Sequence, residues 1–164
     1  MNRAERIRAL REQSSKSVQE MAMLLGVTVS SWFDLEQHDD EVATCISLRQ
    51  VYLLSSAFAV SPRTLLSPDP SGNSIGSEIS LKEIASLAER HMRENHLTLE
   101  QFEDDVGWYL AGFFANPECA LDEPAMFLQD LCAPIGVHWL GVVAKDVQPP
   151  NPVVQGTRDE DARP

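Results

Sequence analysis

Apolar positions recur along this chain at the three- and four-residue spacing of a helix face, and the clearest block runs from residue 17 to residue 36. Val18, Met21, Ala22 and Leu25 stand at i, i+3, i+4 and i+7, which predicts one buried stripe on a helix of about two turns. Ser17 precedes the stripe and Glu20 lies three residues on, so each can satisfy an unpaired backbone N–H of that helix start. Gly26 follows at once, where the chain must adopt a positive φ to leave the helix. Thr28 or Ser30 then caps a second helix that carries Trp32 and Leu35 inward. Before this block, residues 3–13 predict a helix with Ile7 and Leu10 inside. After it, Ser47 caps a helix with Leu48, Val51, Leu54, Ser55 and Phe58 inward. Ser61 and Pro62 open a short last helix burying Leu65 and Leu66, proline being well placed at the first helical position. Residues 38–46 are polar and acidic, and no helix is expected there.

The pattern breaks between residues 67 and 79, where Pro, Gly and Ser cluster and predict a linker. It resumes with Leu81, Ile84, Ala85, Ala88 and Met92. Thr98 and Gln101 form another capping box. Leu99, Phe102, Val106, Gly107, Phe113 and Phe114 fall 81 positions after Val18, Met21, Leu25, Gly26, Trp32 and Phe33. Near the end, Ile135, Gly136, Val137 and His138 fall 77 positions after Phe58, Ala59, Val60 and Ser61. These offsets predict a second, decayed copy of the first unit. The expected organisation is therefore 1–66, a helical domain; 67–79, a linker; 80–146, a degenerate second domain; and 147–164, a flexible tail rich in proline and charge.

Ser17, Met21, Ala22, Gly26, Val27, Thr28, Trp32, Leu35 and Glu36 fall on the pattern of a lambda-repressor-like (Xre/Cro-type) helix-turn-helix domain, and residues 3–66 resemble that family in outline. The resemblance implies an all-α fold of tandem helix-turn-helix bundles. It also implies that the helix beginning near Thr28 reads the major groove of duplex DNA, with Thr28, Ser30, Ser31 and Asp34 nearest the bases. The phosphate candidates are then Arg8 and Arg11 of the first helix, which also carries Arg3 and Arg6, with Lys16 after it and Arg49 near the start of the helix capped by Ser47. Two departures stand out. Val18 occupies the position where the family usually carries a nucleic-acid-contacting Gln, and the exposed face of the second helix offers Val29, Phe33 and Asp34 but no basic residue.

Charge changes the picture further. The formal net charge of the 164 residues is −12, adverse for a surface that must neutralise phosphates. It is concentrated: residues 1–70 hold seven Lys and Arg against nine Asp and Glu, and residues 71–164 hold six against sixteen. Glu100, Glu103, Asp104 and Asp105 would repel a nucleic-acid backbone. The second unit instead displays aromatic residues, so Trp108, Tyr109, Phe114 and Trp139, together with Phe33 of the first unit, are the candidates for an interaction surface.

Cys45, Cys119 and Cys132 stand at no ligand-like spacing, and His38, His91, His96 and His138 are scattered; reduced thiols and no metal site are expected. No phosphate loop, nucleophile elbow or paired acid and base is present, so neither a cofactor nor an enzyme activity is expected. The N-terminus lacks the apolar core of a secretory signal, and no run of about eighteen apolar residues occurs, so a cytoplasmic protein away from membranes is expected. Two functions fit these features. One is a transcriptional regulator that binds duplex DNA as a homodimer. The other is a protein-interaction module on a helix-turn-helix scaffold whose DNA surface has been lost.

Overall fold

The computed structural model describes residues 1–67 and 78–145. The expected tail and most of the expected linker lie outside the described residues. Among the described residues there are helices and no strands, so the all-α expectation holds. The helices are α1 Arg3–Gln13, α2 Val18–Leu25, α3 Val29–Gln37, α4 Glu41–Thr44, α5 Leu48–Phe58, α6 Pro62–Leu66, α7 Leu81–Glu94, α8 Leu99–Val106, α9 Ala111–Ala115, a 3₁₀ helix Pro117–Asp122, α10 Ala125–Cys132 and α11 Trp139–Lys145.

Side chains at the helix ends fix most of these boundaries. Capping boxes start α1 (Asn2 and Glu5), α2 (Ser17 and Glu20), α5 (Ser47 and Gln50), α7 (Ser80 and Glu83) and α8 (Thr98 and Gln101), each cap satisfying donors otherwise left bare and contributing about 1 kcal/mol. Gly26 ends α2 at φ +67° and Gly107 ends α8 at φ +76°, a region costly for residues with a Cβ. The acidic stretch after α3 is not irregular throughout: α4 forms there, because Val42 and Ala43 have a core to enter.

Met21, Leu25, Trp32 and Leu35 are buried, Trp32 completely, and they join a core with Ile7, Val51, Leu54, Leu65 and Leu66. Each such aliphatic side chain contributes roughly 1.5–3 kcal/mol by leaving water. That core does not stop at the expected linker. It runs on through Ile84, Phe102, Leu110, Phe113, Leu128, Leu131 and Val142 as one cluster, so the two bodies expected from the sequence share their apolar interior. Three element pairs carry the junction: α6 on α11, α5 on the 3₁₀ helix, and α4 on α10. The Leu48 amide donates to the Glu123 carbonyl at 2.9 Å, and the Tyr52 hydroxyl donates to the Val143 carbonyl at 3.3 Å.

The backbone also repeats. Positive φ occurs at Ser15, Gly26 and Ala59 in the first half, and at His96, Gly107 and Gly136 in the second. The first two pairs are 81 positions apart and the third 77, the same offsets as the apolar pattern. Helix-end hydrogen bonds repeat with them: Lys16 N to Arg11 O is matched by Leu97 N to Met92 O, and Val60 N to Ser55 O by Val137 N to Cys132 O.

Candidate interaction surface

The α2–turn–α3 unit is built from short-range chemistry. The Ser17 amide donates to Glu20 Oε2 at 2.7 Å and the Glu20 amide to Ser17 Oγ at 3.2 Å. The backbone hydrogen bond from Ser17, and then that of its hydroxyl, hold the Glu20 carboxyl below its ordinary range. After Gly26, the Val27 amide returns to the Ala22 carbonyl, and Thr28 caps α3 by accepting from the Ser31 amide at 3.1 Å. The Thr28 and Ser31 hydroxyls also bond one another at 2.8 Å. Thr28, Ser30, Ser31 and Asp34 are all exposed along the start of α3, where the resemblance places base contacts.

The expected phosphate contacts fare differently. Arg11 is corrected to a structural residue: its side chain is 13% exposed, its Nε donates to Glu36 Oε1 and its Nη2 to Glu36 Oε2 at 3.1 Å. Its Nη1 also holds the Lys16 carbonyl. Trp32 Nε1 donates to the same buried Glu36 at 2.7 Å, so α1 and α3 are joined through one carboxylate. The hydrogen bond to Glu36 raises the Arg11 pKa further above its ordinary value, and the guanidinium stays charged. Arg3 and Arg6 are used as well. Arg3 Nε donates to the Leu66 carbonyl and Arg6 Nη1 to those of Thr64 and Ser67, placing cations at the C-terminal end of α6, where the helix dipole favours them.

Arg49 stays on the surface, its side chain 59% exposed. It lies at the start of α5 and pairs across the junction with Asp122, Nε to Oδ1 at 2.8 Å and Nη2 to Oδ2 at 3.3 Å. That pair raises the Arg49 pKa and lowers that of Asp122. Arg8 is exposed and pairs with Glu12 one turn on, at 3.2 Å, a contact worth little in water. Lys16 is half-buried. From Val18 to Gln37 the sequence contains no Lys or Arg at all.

Beside the exposed Gln19, Glu20, Ser30, Ser31, Asp34 and Gln37, α2 and α3 also present apolar side chains. Met23 is 82% exposed and Phe33 45%, with Leu24 and Val29 also exposed; Val29 and Phe33 are one turn apart on α3, and so share a face. Val29 and Phe33 lie on the face of α3 that the sequence marks as exposed. The signal for the others was the α2 stripe itself, since Met23 and Leu24 lie off it.

In the second half, three of the four aromatic candidates are half-buried and pack against the core. Trp108 is half-buried, donates from Nε1 to Asp130 Oδ2 at 2.9 Å and meets Phe127 edge-on at 5.3 Å. Phe114 and Trp139 are half-buried against the core, and Phe114 also meets the buried Phe113 ring. Leu110 is fully buried, and its amide donates to Glu103 Oε1 at 2.6 Å. Tyr109 is exposed as expected, at 94%. With Trp108, Gly107, Glu100, Glu103 and Asp104 it lines an open cavity of about 390 Å³.

No group of three or more His, Cys, Asp or Glu side chains able to hold a metal occurs among the described residues. All three cysteines are free thiols with raised pKa values, Cys132 being pushed by burial up to about 12. No helix among the described residues is long and apolar enough to cross a membrane. No family model, curated protein or solved structure matches the chain.

Proposed function

We propose that this chain is a protein-interaction module built on two copies of a lambda-repressor-like helix-turn-helix scaffold, acting by binding rather than catalysis and working in the cytoplasm. The tandem reading is supported by the paired positive-φ residues at offsets of 81 and 77. One observation carries the functional reading: α2 and α3 expose four large apolar side chains, Met23, Leu24, Val29 and Phe33, among polar and acidic neighbours, and neither helix holds a basic residue. Meanwhile Arg3, Arg6 and Arg11 are held by carbonyls or carboxylates of the protein itself, and the exposed Arg49 pairs with Asp122. An apolar patch on a helix face fits a protein partner, whereas a phosphate footprint needs several available cations.

Capture experiments with purified protein test this. A specific partner is expected to co-purify with the natural sequence and to be lost from the Phe33→Glu and Met23→Glu variants, whose circular dichroism should be unchanged. Capture unaffected by both substitutions contradicts the reading.

Duplex DNA remains the second reading, favoured by the exposed hydroxyls of Thr28, Ser30 and Ser31 at the N-terminal end of α3. Hydroxyls and the Asp34 carboxylate give weaker base discrimination than bidentate Arg. In that reading Arg8 and Lys16 supply what phosphate contact there is, and a sequence-selected duplex should bind at low salt and be released by Arg8→Glu with Lys16→Glu.

A further inference from the structure

The contacts between the two halves are reciprocal, and this says more than that they touch. With the offset of 77, α4 corresponds to the 3₁₀ helix, α5 to α10 and α6 to α11. The three element pairs at the junction then fall into place. The pairing of α5 with the 3₁₀ helix is the counterpart of α10 with α4, and α6 with α11 is its own counterpart. At the centre, Ser47 and Pro124 form an antiparallel β-bridge with each other, and they are equivalent residues, 77 positions apart. A contact in which i meets j while j's equivalent meets i's equivalent is the signature of a two-fold, isologous interface, and an antiparallel bridge has that local symmetry itself.

We infer that the chain is a single-chain pseudo-dimer, in which the α4–α5–α6 surface of the first half is a subunit interface whose partner is the matching surface of the second half. This rests on the tandem reading proposed above. The surface that a homodimer of one unit would use is then filled from within, and the homodimer expected from the sequence is replaced by an internal one. Symmetry is kept in the backbone and lost in the side chains: Arg49 binds Asp122, while the equivalent pair is Met126 with Cys45. Each chain accordingly carries two unlike heads, the apolar α2–α3 face and the acidic face around Tyr109. It has no symmetric pair to offer a palindromic ligand.

Two measurements on the full chain test this. Light scattering is expected to give 18.2 kDa from dilute to concentrated solution, and a concentration-dependent rise towards twice that mass overturns the inference. Independently, Ser47→Cys with Pro124→Cys, in a background of Cys45→Ser, Cys119→Ser and Cys132→Ala, is expected to close a disulfide within one chain on mild oxidation. Cross-linking between chains, or none in a variant with natural helicity, overturns it. Failure of the tandem reading would appear elsewhere, as backbone chemical shifts that put Ser15, Ala59 or His96 outside the left-handed region.

Discussion

At the scale of single residues, the arginines decide how the surface is understood. Arg11 has the right type and position for a phosphate contact, but Glu36 and Trp32 give it another task. Removing one partner of such a pair leaves a buried charge uncompensated. Arg11→Ala is therefore expected to cost about 3 kcal/mol in urea unfolding, whereas Arg8→Ala, whose pair is exposed, should stay within about 0.5 kcal/mol. Equal effects would show that the Glu36 network is not structural. For the same reason a charge reversal at Arg11 cannot diagnose DNA binding, because it would unfold the module first. The cysteines give a second test. With the Cys132 pKa pushed up to about 12, that thiol should stay unlabelled at pH 8 until denaturant is added, and labelling in the folded protein would contradict its burial.

At the scale of elements, the Ser17–Glu20 box makes a prediction with a definite sign. The Glu20 pKa is lowered in the folded state, so its charged form stabilises the fold above the ordinary carboxyl range, and that contribution is lost as pH falls through the lowered value. Glu20→Gln should thus lower stability at neutral pH, and the difference from the natural chain should vanish in acid. A gap that persists or widens in acid would refute the assignment. Caps of this kind, with the apolar stripes, were legible in the residues: α1, α2, α3, α5, α6, α7 and α8 lie where periodicity, Ser or Thr caps and Gly26 or Gly107 place them. Several features were not. The helix α4 has a polar, acidic sequence and forms because Val42 and Ala43 find a core made by distant segments. The helix α9 is only five residues long, since Asn116 and Pro117 redirect the chain into a 3₁₀ turn. Side-chain destinations were the least legible, because Arg11, Trp108 and Phe114 are placed by partners distant in sequence, such as Glu36, Phe127 and Asp130, or by the whole core, and no local pattern encodes those.

At the scale of the whole molecule, Pro, Gly and Ser between residues 67 and 79 mark a break in pattern without marking a break in packing. The shared core predicts one cooperative transition, with tryptophan fluorescence and helicity lost together in urea. Two separated transitions would mean that the halves are independent bodies. A net charge of −12 on a pseudo-dimer with no basic residue in α2, α3, α8 or α9 leaves a molecule that repels phosphates and presents apolar and aromatic side chains instead. The most direct measurement of that account is fluorescence anisotropy of a random duplex titrated with the full chain over a range of salt. Without a cation cluster to release counterions, no saturable binding is expected at low salt up to about 100 μM, at the weak end of non-specific affinities. Micromolar binding that falls steeply with salt, and that Arg8→Glu with Lys16→Glu abolishes, would contradict it.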